Sequence, residues 1–188
     1  MTIRKFNGRP SPELVSNTDE QGVYDLLDRL DVQYITLVHP AASTMEQCET
    51  VRNSIGAPVF KNLFLTNKQQ TQFYLLMMPA DKPFKTKYLS SQLGCARLSF
   101  ATPGHMMELL HIRPGAVSPM GLIYDSGMRV RLIIDDELRD SGLYACHPCV
   151  NTASISLSLD SLLRSILPAT GHFYTWVTLP REKNCDNE

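Results

Sequence analysis

Cys146-His147-Pro148-Cys149-Val150-Asn151-Thr152-Ala153 gathers two thiols, an imidazole and two polar side chains into a short stretch, and two chemistries compete for it. The Cys-x-x-Cys spacing suits a redox dithiol or half of a zinc site. A structural zinc site takes four ligands, usually from two paired knuckles, and the chain has no second Cys-x-x-Cys and no His-x-His. A thioredoxin-like dithiol sits at a helix N-terminus, where the dipole lowers the thiol pKa; here Val-Asn-Thr-Ala follows instead of an apolar-periodic helix. Two small buried thiols flanking a loop are the simpler reading. The imidazole offers the other chemistry. A residue before proline is held extended, so His147 leaves its strand with a restricted backbone beside Asn151 and Thr152. An imidazole so placed can orient or polarise a substrate, or it can be a histidine whose nitrogens are satisfied locally.

Two further features lie upstream. Lys61 interrupts Val59-Phe60-Lys61-Asn62-Leu63-Phe64-Leu65, otherwise a strand at the heart of a sheet. Burying its charge alone is costly, so it must snorkel, pair or point into a polar cavity, unless it protects a sheet edge. Gly115-Ala116-Val117-Ser118-Pro119-Met120-Gly121 is a loop whose glycine permits close backbone approach and whose N–H groups could cradle a carbonyl or oxyanion. By itself it is also an ordinary turn.

The elements that must position these residues read as an interleaved α and β pattern. Residues 1–17 carry no periodicity and read as a loosely attached arm. Thr18 and Gln21 have capping-box spacing before Val23, Leu26, Leu27 and Leu30, which predicts a helix. Strands are expected at 34–38, 59–66, 72–78, 97–101, 122–124, 128–134, 143–146, 154–157 and 173–179, with 59–66 and 72–78 forming a hairpin. Ser43 and Glu46 cap a helix to about Ile55, and further helices are expected at 85–93, after Thr102-Pro103, at 135–140 and at 159–167. Turn Asp125-Ser126-Gly127 should join the strands on either side. Interleaving with tight hairpins predicts a mixed α/β (α+β) fold: a central, largely antiparallel curved sheet flanked by helices. One domain over 18–180 is expected, with a polar tail at 181–188.

Composition limits the partners. A formal net charge of −1 gives no global basic field for generic nucleic-acid binding; Lys82, Lys85 and Lys87 make only a local basic patch, or a solvated helix start. No apolar run approaches the ~20 residues of a membrane span, and the N-terminus does not read as a secretory signal. Five irregularly spaced cysteines suggest free thiols and a cytoplasmic setting.

Taken together, the motifs are more specific than any one of them. Lys61-Asn62-Leu63-Phe64-Leu65, then Gly115-x-x-x-Pro119, then His147-Pro148-x-x-Asn151-Thr152-Ala153 resemble, in order and spacing, the prolyl-tRNA editing proteins. These are the YbaK/ProX-type aminoacyl-tRNA deacylases related to the insertion domain of bacterial prolyl-tRNA synthetase. The resemblance implies that family's fold and a hydrolase acting on mischarged tRNA(Pro). Alanyl-tRNA(Pro) is the expected substrate, and the cysteinyl branch or a silent tRNA- or synthetase-binding module is the alternative. It implies Lys61 and His147 as the catalytic pair, the lysine holding the terminal adenosine's phosphate or ribose. Asn62, Gly115, Ser118, Pro119, Asn151 and Thr152 would bind substrate. Partners would be the tRNA(Pro) acceptor end and, further, prolyl-tRNA synthetase; neither metal nor cofactor is expected, and oligomeric state is left open.

Overall fold

The computed structural model describes residues 2–42 and 44–181. The strands fall into two sheets. β1 (Arg4–Asn7), β2 (Tyr34–Val38), β7 (Leu143–Cys146) and β8 (Ala153–Ser158) form a four-stranded antiparallel sheet in the order β1-β2-β8-β7. β3 (Lys61–Asn67), β4 (Phe73–Met78), β5 (Leu98–Phe100), β6 (Val130–Asp135) and β9 (Tyr174–Val177) form a mixed sheet in the order β5-β3-β4-β6-β9. β4–β6 and β6–β9 are its parallel pairs. The mixed, largely antiparallel α+β character expected from the sequence is present, with the strands divided over two sheets. Val59 bridges to Ala145, and Ala145 N donates to Pro58 O at 2.8 Å, so the lead-in to β3 ties one sheet to the other.

The helices follow from their apolar faces and caps. α1 (Thr18–Arg29) buries Val23, Tyr24, Leu26 and Leu27. Its cap lies one residue earlier than expected. Asn17 accepts from Glu20 N at 2.9 Å, and the Glu20 carboxylate accepts from Ser16 N, one residue further back than in a capping box. α2 (Met45–Ile55) begins at Thr44, whose hydroxyl accepts from Gln47 N; the expected cap residue Ser43 lies outside the described residues. Gly56 ends it at φ 71°, a conformation glycine takes without a Cβ penalty. α3 (Thr86–Leu93) and α4 (Pro103–Leu110) fall close to expectation, α4 with Thr102 as cap and proline in its first turn. A last helical stretch consists of α5 (Leu159–Ser161), a π-helical segment (Leu162–Ile166) and α6 (Leu167–Ala169).

Three expectations are corrected. The arm at 1–17 contributes β1, paired with β2 from Arg4↔Val38 to Asn7↔Ile35; a strand this short shows too little alternation to be read. Residues 119–124, expected as loop and then strand, form a 3-10 helix (Pro119–Tyr124), with Ser118 Oγ accepting from Met120 N and proline in the first turn. β6 therefore meets no hairpin partner at 122–124. Its start is held by the buried Asp125 carboxylate, which accepts from Arg129 N and Val130 N. Of the tail at 181–188, residues 182–188 lie outside the described residues.

The main core fills the space between the sheets, against α1 and the 3-10 helix. A second cluster lies on the other face of the mixed sheet under α3, and a small third one joins α2 to the four-stranded sheet through Leu37, Ile55 and Ala145. That third contact sets α2 as a wall over the end of the sheet where β2, β7 and β8 open.

Candidate active site

β2 and β7 lie on either side of β8, and each runs into a His-Pro pair: His39-Pro40 after β2 and His147-Pro148 after β7. The sheet register therefore delivers both imidazoles to one end. Their ring centroids are 6.4 Å apart. His147 Nδ1 lies 2.7 Å from Ala153 O. A carbonyl only accepts, so Nδ1 carries the proton and Nε2 keeps its lone pair. By the same logic His39 Nδ1 donates to Pro40 O at 2.9 Å, and its Nε2 lies 3.0 Å from Ser154 Oγ. Burial lowers the His147 pKa, against the opposing pull of the Ala153 carbonyl, and the neighbouring His39 lowers it further. His147 is thus a neutral imidazole at pH 7 with one free acceptor nitrogen.

That nitrogen belongs to a residue lining a cavity of about 390 Å³. α2 supplies one wall through Cys48, Val51, Arg52 and Ile55, spaced i, i+3, i+4 and i+7 along one helix face. Val59, Phe60 and Ala145 add apolar surface where the two sheets meet, Asn62 comes from β3, and Gly115 and Asn151 bring two loops to it. Gly115 has φ 90°, and a Cβ there would stand 3.9 Å from Asn151 Nδ2. The glycine's service is its left-handed backbone rather than the space it leaves. Asn62 Oδ1 is buried with no partner among the described residues, and Nδ2 reaches only Phe60 O at 3.4 Å. Asn62 thus lines the cavity with an amide oxygen that is closed off from solvent and unpaired.

Four of the expected site residues line this cavity together: His147, Asn62, Gly115 and Asn151. Lys61 does not. In β3 it pairs with Met78, on the face covered by α3, while Asn62 pairs with Met77 on the face toward the other sheet. Strand alternation sends neighbours to opposite faces, and Lys61 Nζ donates to Lys82 O at 2.7 Å. Ser118, Pro119 and Thr152 shape the frame. Ser118 is fully buried at the 3-10 cap and Pro119 is buried behind it. Thr152 Oγ1 lies 3.0 Å from Ser16 Oγ, while its carbonyl accepts from His39 N. The residue overlooked in the sequence is His39. Its signal was present as a second His-Pro, but only the strand order shows that the two pairs face each other.

Of the Cys-x-x-Cys pair, Cys146 is among the residues lining the cavity and Cys149 is not. Cys146 and Cys149 are free and buried in the main core. Burial pushes the Cys146 thiol up to about 12, against smaller opposing effects of Ser118 and Tyr144, and burial raises Cys149 too. The thiolate is the reactive form, so both are inert near neutral pH. Brief treatment of the native protein with iodoacetamide should alkylate the partly exposed Cys48 and Cys95 and spare Cys146 and Cys149. Peptide mass spectrometry reads the result, and rapid labelling of Cys146 would restore the redox reading. Among the described residues no group of three or more His, Cys, Asp or Glu could hold a metal ion.

Comparison with known proteins agrees with this geometry. The family model described as the aminoacyl-tRNA editing domain matches residues 39–165, most of the chain and beginning at His39. The prolyl-tRNA editing protein ProX of Acetoanaerobium sticklandii is 31% identical over 160 residues, covering 85% of this chain and 97% of that protein. The prolyl-tRNA synthetase associated domain-containing protein 1 of Danio rerio is 32% identical over 150 residues, covering 79% of this chain and 80% of that protein. A solved structure described as a candidate trans-editing enzyme for prolyl tRNA synthetase superposes with a TM-score of 0.64 at 16% identity, over 92% of this chain and 100% of that one; at that identity the likeness concerns the fold. Two sheets meeting at a cavity with a neutral imidazole, and a family match spanning the residues that build it, lead to one conclusion: the chain belongs to the aminoacyl-tRNA editing domain family and is an aminoacyl-tRNA deacylase.

Proposed function

We propose that this deacylase removes alanine from mischarged tRNA(Pro), by hydrolysis of the ester that joins it to the terminal adenosine. The observation that carries the reading is the two-sided cavity. Buried apolar side chains of Val51, Ile55, Phe60 and Ala145 line it together with the polar His147, Asn62 and Asn151. An apolar recess of this kind suits a methyl side chain. A synthetase pocket built for proline rejects smaller alanine by only ~1–3 kcal/mol per missing methylene, so a second site that admits alanine and excludes proline completes a double sieve.

In the reaction, water adds to the ester carbonyl carbon, the bond from that carbon to the ribose oxygen breaks, and the ribose oxygen takes a proton and leaves as a hydroxyl. His147 Nε2, unprotonated, accepts hydrogen from the attacking water or holds it in line. Asn62 turns its amide oxygen to the substrate's α-ammonium, a rotation that gives the unpaired buried oxygen a partner. The backbone around Gly115 faces the ester, with the Asn151 amide beside it. Ser118, Pro119 and Thr152 serve the site through its frame. Lys61 stands outside the cavity, so a part in holding the terminal nucleotide requires it to leave the Lys82 carbonyl.

A deacylation panel with purified protein tests the substrate. Alanyl-tRNA(Pro) should be hydrolysed about 10²-fold faster than prolyl-tRNA(Pro), the discrimination a small pocket achieves by size. Faster release of cysteine than of alanine would move the chain to the cysteinyl branch. Retention of tRNA with no turnover on alanyl, cysteinyl or seryl forms would make it a binding module.

A further inference from the structure

Arg52 is the single permanently charged residue among those lining the cavity, and it lies on the exposed side of the α2 wall. Its neighbours along that face, Val51 and Ile55, are buried, so the guanidinium stands at the mouth while the aliphatic residues stand inside. It forms no ion pair or hydrogen bond among the described residues, and of the arginines without a carboxylate partner it alone lines the cavity. No carboxylate lines the cavity to neutralise it. The cavity therefore has an uncompensated positive charge at its entrance and none within.

We propose that Arg52 is the residue that binds the phosphate preceding the terminal adenosine. The inference rests on the deacylase reading of the cavity. With the aminoacyl ester on the ribose held beside His147, the ribose 5′ carbon and its phosphate extend outward, toward the mouth. A guanidinium presents a planar fork to phosphate oxygens and remains charged at any working pH. This assignment gives α2 a second task. Through Val51 and Ile55 it closes the amino-acid recess, and through Arg52 it places the nucleotide, so the acyl group is measured from a fixed phosphate. It also gives Arg52 the duty that the resemblance assigned to Lys61, whose ammonium faces the other side of β3.

Binding without turnover separates this proposal from the activity itself. Adenosine and adenosine 5′-monophosphate are titrated into the full chain at low salt and followed by NMR. The monophosphate should bind about tenfold more tightly than adenosine, the size of one charge-assisted contact, and the advantage should shrink as salt rises. Arg52→Gln should abolish the difference and leave adenosine binding unchanged, while Arg52→Lys should keep part of it. An equal preference for the monophosphate in Arg52→Gln, or none in the unaltered protein, overturns the assignment. Lys61→Gln run in parallel should leave the preference intact; its loss there would return the phosphate to Lys61. A phosphate preference that depends on Arg52 in a protein inactive on every aminoacyl-tRNA would leave the subsite standing and remove the deacylase reading.

Discussion

Replacing His147 with alanine should lower the rate of deacylation by about 10²-fold or more, the usual share of a positioned acid–base group, with little change in the far-UV circular dichroism spectrum. The expectation follows from the ring's hydrogen bonding. Nδ1 is committed to Ala153 O, so Nε2 is the acceptor the ring offers to the cavity. The pH profile separates a chemical role from a packing one. The competent form is neutral, and the folded protein lowers the His147 pKa below the ordinary 6.5. Activity should therefore be flat through neutral pH and fall only on the acid side of that value. His39 is one of the influences depressing the pKa, so removing it should raise the pKa and move the acid limb toward neutrality. His39→Gln, with its amide in place of the ring, is the variant to use. A limb that stays put in His39→Gln, together with near-normal turnover in His147→Ala, would show that both imidazoles are structural.

Much of this site was legible in the chain, and the reasons for the rest are specific. His147, Asn151 and Gly115 are marked by residue type and local chain geometry: a pre-proline histidine, a polar turn, a glycine with positive φ. Such signals are carried within a few residues and survive folding unchanged. β2, α2, α3 and α4 were equally clear, since caps, glycine stops and apolar periodicity are local too. What failed was non-local. The parity of a strand decides which face a residue joins, and Lys61 and Asn62, adjacent in sequence, end on opposite faces because Met78 and Met77 do. No property of Lys61 announces that. His39 needed the β2-β8-β7 order, which is fixed by pairing partners far away in the chain. The second half of the 3-10 helix at Pro119–Tyr124, residues 122–124, reads as a strand because a short apolar run suits either form; the buried Ser118 cap decides it.

The same non-locality explains the lysine that looked like a surface patch. Lys82 was grouped with Lys85 and Lys87 as exposed basic residues, yet it is 1% exposed. Its Nζ lies 2.7 Å from Asp135 Oδ2 and 2.8 Å from Glu137 Oε1. Asp135 is fully buried at the end of β6, and its other oxygen accepts from Glu137 N at 3.1 Å. Glu137 is shared with Arg181, whose hydrogen bonds are the first cause, and Lys82 the second, holding its carboxyl down at about 2. Lys82→Met should therefore destabilise the protein by about 3–5 kcal/mol, since one partner of a buried pair is left uncompensated. The melting temperature should drop by roughly 10 °C for a domain of this size. Adding Asp135→Asn should recover much of the loss, because the amide oxygen can still cap Glu137 and no buried charge is stranded. Calorimetric melting of the two variants and the double variant closes the cycle. Equal losses in Lys82→Met and in the double variant would mean that packing of the lysine stem, not its charge, holds the β4–α3 connection. The consequence for the site is indirect. The Lys82 carbonyl that anchors Lys61 Nζ is backbone and stays in every variant, so below the melting range deacylation should persist even where stability is lost.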